Sequence, residues 1–272
     1  MAIDFPVKEQ YSTEDFLDLI AALRSPQGCP WDREQTHESI RSNFLEETHE
    51  AIEAINKGDV AGLREELGDV MMQVVLHAQI AKENGEFTFG DVVDEVCRKL
   101  IVRHPHVFGD VVANDANDVL KTWDSVKRAT KGAAGEIATQ TDLLRNVPRS
   151  LPALMRADKV QGRARRVGFD WPDVSGAMQA LESELLEFKE AVSSGSVKDV
   201  EEELGDLIFS AVNVSRFVNV DAEQALTVST DKFITRFEKV EMLAKERDLD
   251  MTKMSIDALD ELWKEAKVLV KG

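Results

Sequence analysis

Eight acidic residues, set twice around a glycine, constrain this chain more than any other feature. Glu47 and Glu50 precede Gly58, Glu66 and Asp69 follow it, and 58 is the midpoint of both 47/69 and 50/66. Each pair is spaced i,i+3, which on an α-helix puts both carboxylates on one face. Asn56-Lys57-Gly58-Asp59 between the pairs is a turn signal. An antiparallel helical hairpin turning at Gly58 therefore brings the pairs level, about 12 Å from the turn at 1.5 Å per residue. The figure recurs 137 positions on as Glu184/Glu187 and Glu203/Asp206, mirrored about Gly195 in Ser193-Ser194-Gly195-Ser196. Among 51 acidic residues an isolated Glu-x-x-Glu is ordinarily a solvated helix face. Two copies with one mirror symmetry are not readily an accident of composition.

A repeat of that length within 272 residues predicts two tandem helical-bundle modules, each built on a carboxylate-bearing hairpin. The expected division is 1–130, a linker over 131–147, and 148–272. One Tyr, seven Pro and an abundance of Leu, Ala, Val and Glu predict an all-α protein. The net charge of −18 argues against a nucleic-acid or anionic-membrane surface. It leaves room for a nucleotide held through metal bridges and a few local cations. Cys29 and Cys97 form neither a disulfide framework nor a metal-ligand spacing. No signal peptide and no long apolar run stands out, so a soluble, cytoplasmic chain is expected.

The pattern predicts helices over 13–24, 40–56, 60–82, 89–102, 116–128 and 151–166, with further ones from Ala222 and Ser255. Breaks fall at 25–32 and at Gly168-Phe169-Asp170-Trp171-Pro172, and Ala129 to Asp142 reads as the best linker. Phe44, Ala51 and Ala54 share a face with Glu47 and Glu50, so the acids interrupt an inward stripe. The repeat extends to cations. Lys99/Arg103 answers Lys232/Arg236, and Trp123/Lys127 answers Trp263/Lys267, all spaced i,i+4. Taken alone, each Trp is more often core and each Lys/Arg pair more often surface.

Carboxylates forced together inside a hairpin repel one another and are costly to desolvate, and a divalent cation removes that conflict. Oxygen-only ligands favour Mg²⁺, with Mn²⁺ as the alternative, and Mg²⁺ commonly shares its shell with waters and substrate phosphates. Paired cations suit phosphate oxygens, and Trp suits a base or a core. The combination describes a site for a metal-bridged nucleoside polyphosphate.

On these residues the sequence resembles the MazG family of nucleoside triphosphate pyrophosphohydrolases, all-α enzymes that cut an NTP into NMP and pyrophosphate. The family pattern stands here as Glu46-Glu47-Thr48-His49-Glu50 with Glu66-Leu67-Gly68-Asp69. Gly28-Cys29-Pro30-Trp31-Asp32, Arg103-His104-Pro105-His106-Val107-Phe108 and Pro148-Arg149-Ser150-Leu151-Pro152-Ala153-Leu154 also look like family signatures. The resemblance implies that Glu184, Glu187, Glu203 and Asp206 are the metal ligands and catalytic carboxylates of the second module. It makes Lys232, Arg236 and Lys267 phosphate contacts and puts Trp263 near the base. Glu47, Glu50, Glu66, Asp69, Lys99, Arg103, Trp123 and Lys127 are the first module's counterparts. In two-module members the C-terminal module is the one usually credited with activity. Ser183 departs from the pattern where its first Glu belongs, and Asp199 stands where a lysine is often seen, with Lys198 beside it. The four mirror-symmetric acids do not include Ser183, so the metal site is expected to survive. Apolar stripes on several helix faces predict a homodimer. Two other readings compete: a helical nucleotide-binding protein without turnover, and a ferritin-like di-metal oxidoreductase. The latter needs Glu-x-x-His twice. Glu46-x-x-His49 supplies it once, and the matching pair in the second half is Ser183 and Leu186.

Overall fold

The computed structural model describes residues 3–111 and 139–271, with positions 115, 119 and 126 between them. It divides into two compact units, Met1–Ala129 and Thr130–Gly272. Every regular element among the described residues is a helix. None is long and apolar enough to cross a membrane.

The first unit holds α1 (Thr13–Arg24), α2 (Pro30–Glu34), α3 (Arg41–Lys57), α4 (Val60–Asn84), α5 (Phe89–Arg103) and α6 (Pro105–Phe108). Ser12 and Asp15 close a capping box on α1, and Thr88 and Asp91 do the same for α5. The hairpin turns where the symmetry requires. Gly58 lies in the left-handed region at φ 67°, and its N–H meets the carbonyls of Ala54 and Ile55. Asp59 then starts α4 by accepting from the N–H groups of Ala61 and Gly62. At the far end of the hairpin, Ile20, Ile40, Val75, Leu76 and Ile80 form the core, with Phe16, Leu17, Met72 and Phe89 against it. Each such aliphatic side chain contributes about 1.5–3 kcal/mol by leaving water. Arg24 pairs with Glu83 at 2.8 Å and donates to the carbonyls of Asp32 and Gln35, tying the loop around Trp31 to α1 and α4.

The second unit holds α7 (Gln140–Arg145), α8 (Ala153–Arg165), α9 (Val174–Ser194), α10 (Val197–Phe217), α11 (Ala222–Glu246), a 3₁₀ turn (Met251–Lys253) and α12 (Ile256–Lys271). Its hairpin α9–α10 repeats the first: Gly195 is left-handed at φ 76°, and Ser196 caps α10 through the N–H of Asp199. A second core of Val240, Leu243, Ala244, Leu262 and Ala266 joins α11 to α12, with Met251, Met254 and Trp263 packed on it.

Two expectations change. The stretch read as linker carries a helix, because Thr139 and Asp142 form a capping box that starts α7. The break over 25–32 closes with the short helix α2, which proline at its first position permits. The helix expected over 116–128, with Trp123 and Lys127, lies outside the described residues except at positions 119 and 126.

Candidate metal centre

The facing pairs do converge. In the first unit, Glu47 from α3 and Glu66 and Asp69 from α4 each offer an oxygen within 4.8 Å of the others. In the second, Glu184 and Glu187 from α9 and Glu203 from α10 do the same. Glu50 and Asp206 complete the two sets at longer range: the charge of Glu50 raises the pKa of Glu47 and Glu66, and that of Asp206 raises the pKa of Glu184 and Glu203.

Those four glutamates sit above the ordinary carboxylate range for one reason in both units. Partial burial between the helices acts first, and the neighbouring carboxylates act next. The charges acting on Glu66 and Glu203 are all carboxylates. Mutually repelling oxygens held this close, all but those of the exposed Glu187 half-buried, make a donor set of the kind that suits a hard divalent ion. Neither metal-capable group among the described residues contains a histidine, and His49 is exposed away from the threesome on α3. That removes the support for the ferritin-like reading.

Two further side chains, Gln73 and Ser183, hold carboxylates of the clusters in place. Gln73, one turn beyond Asp69, is buried at 3% exposure and hydrogen-bonds Glu47, lowering its pKa against the other influences. A buried amide in an otherwise apolar stripe is the signal that could have marked it. Ser183 donates to Glu187 Oε1 at 3.0 Å, so the residue that departs from the acidic pattern steadies one of the clustered carboxylates instead of adding another.

The cations fall on α5 and α11. Lys99 and Lys232 are exposed, while Arg103 and Arg236 are half-buried. Arg236 keeps its Nε buried with no protein partner. Trp263, on α12, packs against Phe233 at 5.0 Å between ring centroids, and Lys267 Nζ lies 6.0 Å from the same indole. α11 packs on α8 and α12 and touches α10, the helix that carries Glu203 and Asp206.

Tandem helical hairpins that each clasp three or four carboxylates define an all-α fold with two sites able to hold a metal ion. Both hairpins fall inside the two stretches, residues 35–108 and 174–241, that match the MazG nucleotide pyrophosphohydrolase domain. The chain belongs to that family, and with it to the hydrolases that cut phosphoanhydride bonds. It is 44% identical over 254 residues to the nucleoside triphosphate pyrophosphohydrolase/pyrophosphatase MazG of Thermotoga maritima, covering 93% of this chain and 95% of that protein. It is 41% identical over 256 residues to the nucleoside triphosphate pyrophosphohydrolase of Escherichia coli K12, covering 92% and 95% respectively. A third relative, the uncharacterized protein YabN of Bacillus subtilis, is 43% identical over 96% of this chain and 54% of its own length.

Proposed function

We propose that the chain hydrolyses nucleoside triphosphates to nucleoside monophosphates and pyrophosphate, with Mg²⁺ held by Glu184, Glu187, Glu203 and Asp206. Mn²⁺ is the alternative ion, and Glu47, Glu50, Glu66 and Asp69 form the equivalent set in the first module. The observation that carries this reading is the threesome of Glu184, Glu187 and Glu203 oxygens within 4.8 Å, pressed together with no cationic side chain between them. Bound there, Mg²⁺ supplies charge neutralisation for phosphate oxygens and a more acidic water. A carboxylate of the set, its basicity raised by its neighbours, accepts the proton of the attacking water. The water adds to phosphorus in line, and the bond to the bridging oxygen of the pyrophosphate breaks. Lys232, Arg236 and Lys267 offset the charge that collects on the leaving group. Trp263 stands near the nucleotide as the aromatic partner that the family pattern implies.

The assembly is proposed as a homodimer. α5 buries no residue in its own unit and exposes Val93, Val96, Leu100 and Ile101. α11 exposes Leu226, Phe233 and Ile234 at corresponding places in the repeat. A two-fold contact covers such matching stripes by self-complementarity. The free thiols Cys29 and Cys97 suit a reducing compartment, and the cytoplasm is the proposed location. The acidic balance supports small-molecule substrates over nucleic acid or membranes.

The test is product analysis on the purified chain with mixed NTPs, with and without Mg²⁺. Pyrophosphate and NMP in equal amounts, and only with the metal, are expected. Inorganic phosphate with NDP, or no product, would reject the reading.

A further inference from the structure

The two acidic clusters are alike in spacing and unlike in setting. In the first, the three converging donors Glu47, Glu66 and Asp69 are all half-buried. In the second, Glu184 and Glu203 are half-buried but Glu187 stands exposed. Asp206 is exposed as well, whereas Asp69, at its place in the repeat, is not. The first donor set is therefore the more enclosed of the two.

Its inner end is closed by Gln73. This residue follows Asp69 by four, so it continues the stripe of Glu66 and Asp69 one turn further along α4. It is 3% exposed, and its amide hydrogen-bonds Glu47 across the hairpin. A carboxylate only accepts, so the amide nitrogen is the donor. The amide oxygen stays buried with no protein partner. An unpaired buried acceptor destabilises a fold, and a Met side chain of similar length would fill the space without that penalty. What the amide adds is its hold on Glu47, the one converging acid that α3 contributes. A carboxylate fixed in this way is oriented before an ion arrives.

The second hairpin has no such support. Ser210 stands where the repeat places Gln73, 137 positions on. Glu184, the counterpart of Glu47, is acted on by burial and by the charges of Glu187 and Asp206, and among the described residues no side chain hydrogen-bonds it. Ser183 does reach Glu187, but both are exposed, and water competes for that bond.

We propose that the first cluster is a resident-ion site: Gln73 is the positioning residue that fixes Glu47, and the cluster holds a divalent cation about tenfold or more tighter than the second does. Two physical terms act in that direction. Removing a hydrogen bond that orients a metal ligand ordinarily weakens binding by about 10–100-fold, and only the first cluster has a buried one. Carboxylates that repel one another away from water also gain more from an ion than carboxylates that solvent already screens. The exposed second cluster has the complementary property. Its open side leaves coordination positions for water and for phosphate oxygens, which an ion that arrives and departs with substrate requires. The first ion thus braces the α3–α4 hairpin, and the second exchanges.

The inference rests on the reading of both clusters as metal sites, and its test needs no turnover. Mn²⁺ is titrated into full-length variants that each keep one cluster, Glu203→Gln for the first and Glu66→Gln for the second, with free ion followed by EPR. The Kd is expected to be about tenfold or more lower in Glu203→Gln. Adding Gln73→Met to Glu203→Gln is expected to raise that Kd by about tenfold or more, and adding it to Glu66→Gln to change nothing. The comparison of the two single variants stands without any change at position 73, so it does not depend on how the buried substitution folds. Equal affinities, a tighter second cluster, or a Gln73→Met effect that appears in both backgrounds or in neither would overturn the inference while leaving both clusters as metal sites. Absence of Mn²⁺ uptake in both single variants would remove the metal reading and this inference with it.

Discussion

Glu66 and Glu203 occupy the same place in the two hairpins, and in both the acid is held above its ordinary value of 4.5 by burial and then by neighbouring carboxylates. A carboxyl whose folded pKa is raised binds protons more readily when folded. Its stabilising share is complete below 4.5 and is lost as the pH rises through the folded value. At neutral pH the metal-free clusters are therefore a source of strain. Glu66→Gln and Glu203→Gln should each raise the melting temperature of the metal-free protein at pH 7 while shrinking the stabilisation that Mg²⁺ gives, both read by calorimetry. Glu203→Gln should also lower kcat by about 100-fold or more. His77, stacked on His37, carries the opposite sign. Their Nδ1 atoms are 2.7 Å apart in stacked rings, and His77 lies below its usual 6.5 through burial and then the neighbouring His37 charge. That stability is complete above 6.5 and is lost as the pH falls below 6.5 and through the lower folded value. Replacing His77 with Phe should flatten the acid limb of the melting profile in that window.

The hairpins depend on two backbone conformations. Gly58 and Gly195 hold φ of 67° and 76°, and nothing lies within 4 Å of a Cβ built at either. The penalty for Gly58→Val is therefore backbone strain alone, about 1–2 kcal/mol, whereas Gly58→Asn should be nearly neutral, as chemical denaturation of the two variants would report. These turns were legible because a midpoint, a glycine and a capping residue directly after it, Asp59 or Ser196, all agree at one position. Helix α7 was not, since Gly132, Gly135 and the threonines around it outweighed the Thr139-x-x-Asp142 box. The carboxylates could be read from spacing because the hairpin leaves them one place to go. Gln73 and Arg216 were fainter signals, because a polar residue within an apolar stripe looks like noise until its burial is known. The Arg216–Asp170 pair joins residues far apart in sequence, and no local pattern announces it.

For the molecule as a whole, the two hairpins repeat their four acids but draw different threesomes together, Glu47, Glu66 and Asp69 in the first and Glu184, Glu187 and Glu203 in the second. The first unit has the complete acidic motif, the histidine pair and an Arg24–Glu83 clamp on its loop. The second has Ser183 in place of Glu46, and its loop at Trp171 is held by the Arg216–Asp170 pair. Two modules that share a cluster of acids and differ around it should divide the work, with turnover of nucleotides resting on the second. The exposed apolar stripes of α5 and α11 make a further prediction at this scale. The wild-type chain should sediment as a dimer, and Leu100→Asp with Phe233→Asp should shift it to monomer with helical content intact. A wild-type chain that sediments as a monomer would leave those stripes without the partner proposed here.

The most direct test counts metal. Titrating Mn²⁺ and following its loss of free-ion EPR signal should show saturable binding in the wild-type chain. That binding should fall in Glu66→Gln, fall in Glu203→Gln and vanish in the double variant, and pyrophosphate release should disappear with Glu203. A double variant that still takes up Mn²⁺ like the wild type and still releases pyrophosphate would contradict the assignment of these carboxylates.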